Sequence, residues 1–308
     1  MFYFLVGIFY VVAGSVRQWF PVITFGIFFF LFPIFLLETP LGGDFNSLIS
    51  RASENYESSN FLFVFNFLRD VSILLGINIS SLYSLVIYIA SLLLVLQSRR
   101  NLYLIAGPIF FVFYASGFQR QALSAIFILI AINAFSHKHF FWFSLISILA
   151  YLTHPTAVVF LVLYLLSMIG SFRRVFPLLL VSPLLFEYVV KLLPFLEHYY
   201  VHYYLSGSSN HIWILFLMLS LPYFLFVRSI ESRGERAFLY SLLTLSLSFL
   251  FFDASNMAFR ILFFLYIALH LLVSNLIQYR PAFIFWELSL FSSWFLLSES
   301  SIMWRIGT

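Results

Sequence analysis

Cysteine is absent from this chain. That excludes a disulfide, a thiolate nucleophile and a cysteine metal site. Charge is scarce: only 9% of the 308 residues are Asp, Glu, Lys or Arg, against 63% hydrophobic ones. A soluble domain of this length is not expected to hide so much apolar surface. The net charge of +4 carries no nucleic-acid reading, because in such a composition the position of basic residues matters more than their sum. No basic leader precedes the first apolar run, Met1 to Val16, so a cleaved signal peptide is not expected. A Walker A loop, a zincin motif, a haem pattern and a transporter-type internal repeat are all missing.

What the chain has is apolar bulk. Aromatics make up 22%, with 43 phenylalanines, and the mean hydropathy is +1.02. Apolar runs of bilayer length fall at 2–16, 19–37, 80–97, 101–116, 121–136, 140–153, 156–170, 175–188, 211–227, 237–252, 260–278 and 282–297. They predict an all-α polytopic membrane protein of about 12 transmembrane helices (roughly 10–13), one transmembrane domain over 1–308. Pro177 and Pro183 predict that 175–188 is bent or incomplete, and Pro222 that its helix kinks or ends. Ten basic residues, among them Arg17, Lys138, Arg173, Arg174, Arg228, Arg233, Arg236 and Arg280, fall in alternate loops. By the positive-inside tendency they mark the cytoplasmic side. Most acids sit with the other six basic residues, in the loops 38–79, 117–121, 153–156, 187–210 and 253–260, which are then outside.

The stretch Gly117-Phe118-Gln119-Arg120-Gln121-Ala122-Leu123-Ser124-Ala125 sets one guanidinium and two glutamines between apolar runs. A guanidinium does not deprotonate to escape such a setting. Charge that persists near a bilayer faces a polar cavity or marks a site, unless it snorkels to the headgroups. Three short outside loops each hold a cationic or titratable residue: Arg120, His154 and Arg260. The helices that begin there direct unpaired N–H groups and the positive dipole end outward. Together they predict an anion site suited to a phosphate or diphosphate.

Two outside loops are long. In 38–79, Gly42-Gly43 signals a turn before Asp44, which reads equally as a turn former. Asn66, Arg69 and Asp70 share a helical face, so 61–75 reads as an interfacial helix. The loop 187–210 concentrates Tyr and His. Tyr199, His202 and Tyr203 suit sugar rings, although tyrosine is also common at any membrane interface. His198 and His202 have a helical metal spacing with no further ligand in place, so no metal is expected. Glu287 and His270 read as a snorkelling acid and an interhelical hydrogen bonder.

On these residues the chain resembles a known family. The stretch from Gly117 to Ala125 resembles the Gly-x-x-Arg-Gln-x-x-Ala signature of Wzy-type O-antigen and EpsG-like polysaccharide polymerases. Gly42-Gly43-Asp44-Phe45 resembles that family's Gly-x-Asp-aromatic stretch. Tyr151-Leu152-Thr153-His154 resembles its helix-opening histidine, and Arg260-Ile261-Leu262 with Tyr266 a later Arg and Tyr pattern. Pro155 departs from it, standing where a longer polar or basic residue is frequent. The similarity runs from about Leu41 to Tyr266. It implies a GT-C-like bundle in the bacterial inner (plasma) membrane, with its active site on the extracytoplasmic side. It implies a glycosyltransferase that joins undecaprenyl-diphosphate-linked oligosaccharide repeat units with no cofactor. A chain-length-determinant membrane protein is a possible partner in such a system. Within that reading Arg120, Gln121 and Arg260 bind diphosphate, and His154 or Asp44 serves as base. A lipid-linked oligosaccharide flippase, a non-catalytic scaffold in an export complex, and a related ligase or single-sugar glycosyltransferase are the alternatives.

Overall fold

Helix ends in this chain are set by caps and turns that lie between its apolar runs. A computed structural model describes residues 63–77, 79–98, 119–154, 156–169, 172–192, 212–252 and 254–273. Among them are nine helices and no strand: α1 (Phe63–Leu75), α2 (Ile79–Ser98), α3 (Gln119–Ser136), α4 (Phe140–Thr153), α5 (Ala157–Ile169), α6 (Phe172–Leu192), α7 (Ile212–Val227), α8 (Arg233–Phe251) and α9 (Ser255–Val273).

The expected bundle of membrane spans is corrected. Among the described residues no helix is long and apolar enough to cross a membrane. The hydrocarbon layer takes about 20 consecutive apolar residues. α1 and α5 have 13 residues, α4 has 14 and α7 has 16. The longer helices are interrupted. α6 reaches 21 residues but carries Arg173, Arg174, Glu187, Lys191 and two prolines. α3 opens on Gln-Arg-Gln, α8 on Arg-Gly-Glu-Arg, and α2 holds five serines, two tyrosines and a glutamine. The expected runs 2–16, 19–37, 101–116 and 282–297 lie outside the described residues, as do Asp44, Tyr199, His202 and Tyr203.

Two helix ends show how the closing works. At the end of α1, Gly76 has φ +63°, and Ile77 N–H donates to Ser72 O at 3.0 Å. At the end of α3, Lys138 has φ +61°, and His139 N–H donates to Ala134 O at 2.9 Å. Both are left-handed caps whose returning N–H groups satisfy the last carbonyls. Gly76 meets no steric cost there, whereas Lys138 does.

α6 is not incomplete: it continues through Pro177 and Pro183. Proline at 183 removes the N–H that would bond Leu179 O. The hydroxyl of Ser182 donates to that same carbonyl at 2.7 Å and replaces the missing bond. α7 likewise continues through Pro222.

The chain divides into two compact units, with the boundary inside α5 between Leu161 and Val162. In the first, α3 packs against α4 and α2, and α1 packs on α2 and α4. Leu123, Ile126, Leu129 and Ala131 of α3 are fully buried. In the second, α9 packs against α7 and α8, and α6 packs on α8. From Met257 to Leu269 every residue of α9 is buried, as suits a helix apolar on all sides. Phe216 of α7 packs its ring on Phe259, Phe263 and Tyr266 of α9, with centroids 5.5 to 5.8 Å apart.

Candidate functional site

The first unit gathers the motif residues at one end of a helical hairpin. α3 and α4 are antiparallel neighbours joined by the turn 137–139. Ser124 Oγ donates to Ala150 O at 3.1 Å and ties them together. Arg120 lies four residues before Ser124, and His154 lies four residues after Ala150. On antiparallel helices both steps run the same way, about 6 Å along the axis at 1.5 Å per residue. Arg120 and His154 therefore stand at the same height on adjacent helices. Arg120 is half-buried, and Gln121 and His154 are buried.

His154 caps α4 in extended backbone, with φ −158° and ψ 125°. Its N–H donates to Ala150 O at 3.0 Å, and its carbonyl accepts the N–H of Ala157, the first residue of α5, at 3.1 Å. The histidine is thus held by both helices. The start of α5 also belongs to this end, with its Ala157 and Val159 N–H groups already donated to the His154 and Thr156 carbonyls at 3.1 Å. A cation, a carboxamide and an imidazole at one level suit an anionic group with several oxygens.

Arg260 belongs to the second unit and is placed differently from expectation. It is the sixth residue of α9, more than a turn inside the helix, because α9 opens at Ser255 and not at 260. It is buried within an otherwise apolar helix. Its Nε finds no acceptor among the described residues, although the residue has other contacts. Burying a guanidinium is costly, so Arg260 is a site residue or a structural one fully compensated by its surroundings. Tyr266, two turns on, is fully buried against Phe216 and contributes packing. No group of three or more metal-ligating side chains occurs among the described residues.

Two participants escaped the sequence reading. Ser124 lies inside the Arg-Gln signature, and only the packing of α3 on α4 reveals its work. Thr156 was passed over as part of a short loop. Its hydroxyl is 2.8 Å from His154 Nδ1, and its backbone N–H donates to the same nitrogen at 3.3 Å. The signal was available: a hydroxyl residue two positions after a histidine is placed for a local turn.

Elsewhere in the second unit, basic residues meet at one end. Arg236 Nη1 donates to Arg228 O at 3.2 Å across the turn between α7 and α8. Tyr240 of α8 contacts the rings of Phe172 at the start of α6 and Phe224 near the end of α7. Arg173, Arg174, Arg228, Arg233 and Arg236 therefore share that end. Arg260 lies in the first half of α9, which follows the far end of α8.

Comparison with protein-family models, with curated proteins and with solved structures gives no match in any of the three.

Proposed function

We propose that the protein is a glycosyltransferase that joins undecaprenyl-diphosphate-linked oligosaccharide repeat units at the outer face of the bacterial plasma membrane. The observation that carries this reading is the level placement of Arg120, Gln121 and His154 at the shared end of α3, α4 and α5. These are the residues in which the chain resembles the polymerases. Contact with lipid is supported by large apolar side chains left exposed. Phe141 is 73% exposed, Ile169 86% and Phe251 84%. Such surfaces mark contact with a membrane or with another protein.

In the proposed reaction the acceptor hydroxyl oxygen bonds to the anomeric carbon of the donor. The bond from that carbon to the diphosphate breaks, and its electron pair leaves with the diphosphate. Negative charge grows on the leaving group, so a fixed cation stabilises the transition state more than the ground state. Arg120 supplies a two-pronged donor for phosphate oxygens, with Gln121 beside it. The family resemblance also assigns Arg260 to diphosphate binding. Tyr199, His202 and Tyr203 are assigned to the sugars, and His154 and Asp44 to the reacting centre. The chemistry asks for no metal or cofactor.

The test is chain growth from lipid-linked repeat units by purified protein in detergent, where no barrier exists for a transporter to cross. Arg120→Ala is expected to slow elongation about 100-fold or more while single lipid-linked units accumulate. Long chains made at the normal rate by Arg120→Ala would overturn the reading.

A further inference from the structure

Histidine has two ring nitrogens, and the partner of one decides what the other does. At His154 that partner is known. The backbone N–H of Thr156 donates to Nδ1 at 3.3 Å, and the Thr156 hydroxyl lies 2.8 Å from the same atom. A hydroxyl donates or accepts as required, but a backbone amide only donates. Nδ1 therefore presents its lone pair. A proton on Nδ1 would face the amide hydrogen. In the neutral ring the remaining proton then sits on Nε2.

We infer that Thr156 fixes His154 in the Nε2–H tautomer, so that His154 acts on a bound substrate as a hydrogen-bond donor and not as the base. Thr156 is the positioning residue. This rests on the polymerase reading for the identity of the substrate, but the tautomer itself does not. An imidazole in this form has no lone pair on Nε2 with which to take a proton from the acceptor hydroxyl. Its N–H suits an oxygen that is already negative or becomes so, such as a carrier phosphate oxygen. The geometry around the ring supports a fixed role. The His154 backbone is tied on both sides, to Ala150 O and to Ala157 N–H. Arg120 stands level with it on α3. Within the proposed transfer, the proton of the attacking hydroxyl then goes to a carboxylate, for which Asp44 is the remaining candidate.

The experiment uses full-length protein carrying ¹⁵N-labelled histidine, with the His154 ring signals assigned by their loss in His154→Gln. Long-range proton–nitrogen correlation at neutral pH separates a protonated ring nitrogen from one with a lone pair. The expected pattern is a lone-pair Nδ1 and a protonated Nε2. In Thr156→Val, which keeps the amide but loses the hydroxyl, the two nitrogen shifts should move toward each other. Thr156→Ser should restore the original pattern. A proton on Nδ1 in the unsubstituted protein overturns the inference, and unchanged shifts in Thr156→Val remove the Thr156 hydroxyl from it and leave the tautomer to the backbone N–H. Neither result bears on Arg120→Ala, which tests the polymerase reading separately. In the elongation assay Thr156→Val should lose roughly tenfold in rate, with Thr156→Ser close to the original.

Discussion

Two helical serines of this chain stand in opposite hydrogen-bonding situations, and the difference is measurable. Ser182 gives its hydroxyl to the Leu179 carbonyl that Pro183 leaves without its helical N–H. Ser241, wholly buried in α8, has a hydroxyl with no partner among the described residues. Removing the first hydroxyl strands a carbonyl, and removing the second relieves a buried group of an unmet bond. Ser182→Ala is therefore expected to cost about 1 kcal/mol, and Ser241→Ala to be neutral or stabilising by a similar amount. Thermal unfolding of the two variants side by side checks this. Equal destabilisation would contradict the assignment. Neither serine stands out in a sequence this rich in Ser and Leu. The prolines at 177 and 183 were legible, but the hydroxyl that lets α6 continue past Pro183 was not, because it depends on one side-chain torsion. Arg120 and His154 were legible because a charge or an imidazole in an apolar run is conspicuous.

At the level of elements, the apolar runs located most described helices, and the cap chemistry explains their errors. The expected 140–153 coincides with α4. The expected 237–252 begins four residues late, because Arg233 to Arg236 is polar yet helical. Ser232 starts that turn by accepting the N–H of Glu235 at 3.3 Å, and the Ser-x-x-Glu pattern was there to be read. The expected 260–278 was displaced for a similar reason, since Ser255 and Asn256 are polar but belong to α9. That displacement moved Arg260 from a loop into a helix interior. The same first turn of α8 sits close against α5. A Cβ on Gly234 would fall onto the sulfur of Met168. Gly234→Leu is thus expected to destabilise by about 1–3 kcal/mol despite the better helix propensity of leucine. Combining it with Met168→Ala should recover part of the loss, because the two changes share one space. A double-mutant cycle in thermal or denaturant unfolding measures the coupling, and simple additivity would show that the two elements do not meet there.

For the whole molecule, composition carried a true quantity, the surplus of apolar surface, but not its disposition. Counting hydrophobic residues along the chain predicted spans, whereas no described helix is long and apolar enough to cross a membrane. Part of the surplus went inward, into α9 and α3, and part stayed outside as exposed Phe, Leu and Ile. The arginines are legible in both descriptions. Arg173, Arg174, Arg228, Arg233 and Arg236 belonged to one side in the sequence pattern, and they meet at one end of the second unit. Arg173, Arg174, Arg228 and Arg233 are exposed there, near the exposed Ile169 and Leu225. Guanidiniums over apolar side chains match the order of phosphate above acyl chain at a bilayer surface. Each basic residue near an anionic leaflet contributes on the order of 1 kcal/mol, screened by salt. If lipid is a partner, full-length protein should float with vesicles containing phosphatidylglycerol more strongly than with phosphatidylcholine alone. Changing those four exposed arginines to glutamine should remove most of that difference, and raising the salt should do the same to the unsubstituted protein. Because the charge is lost while the apolar side chains stay, retention on neutral vesicles should hardly change. A variant that keeps its full preference for the anionic vesicles would show that this end of the molecule does not face lipid headgroups.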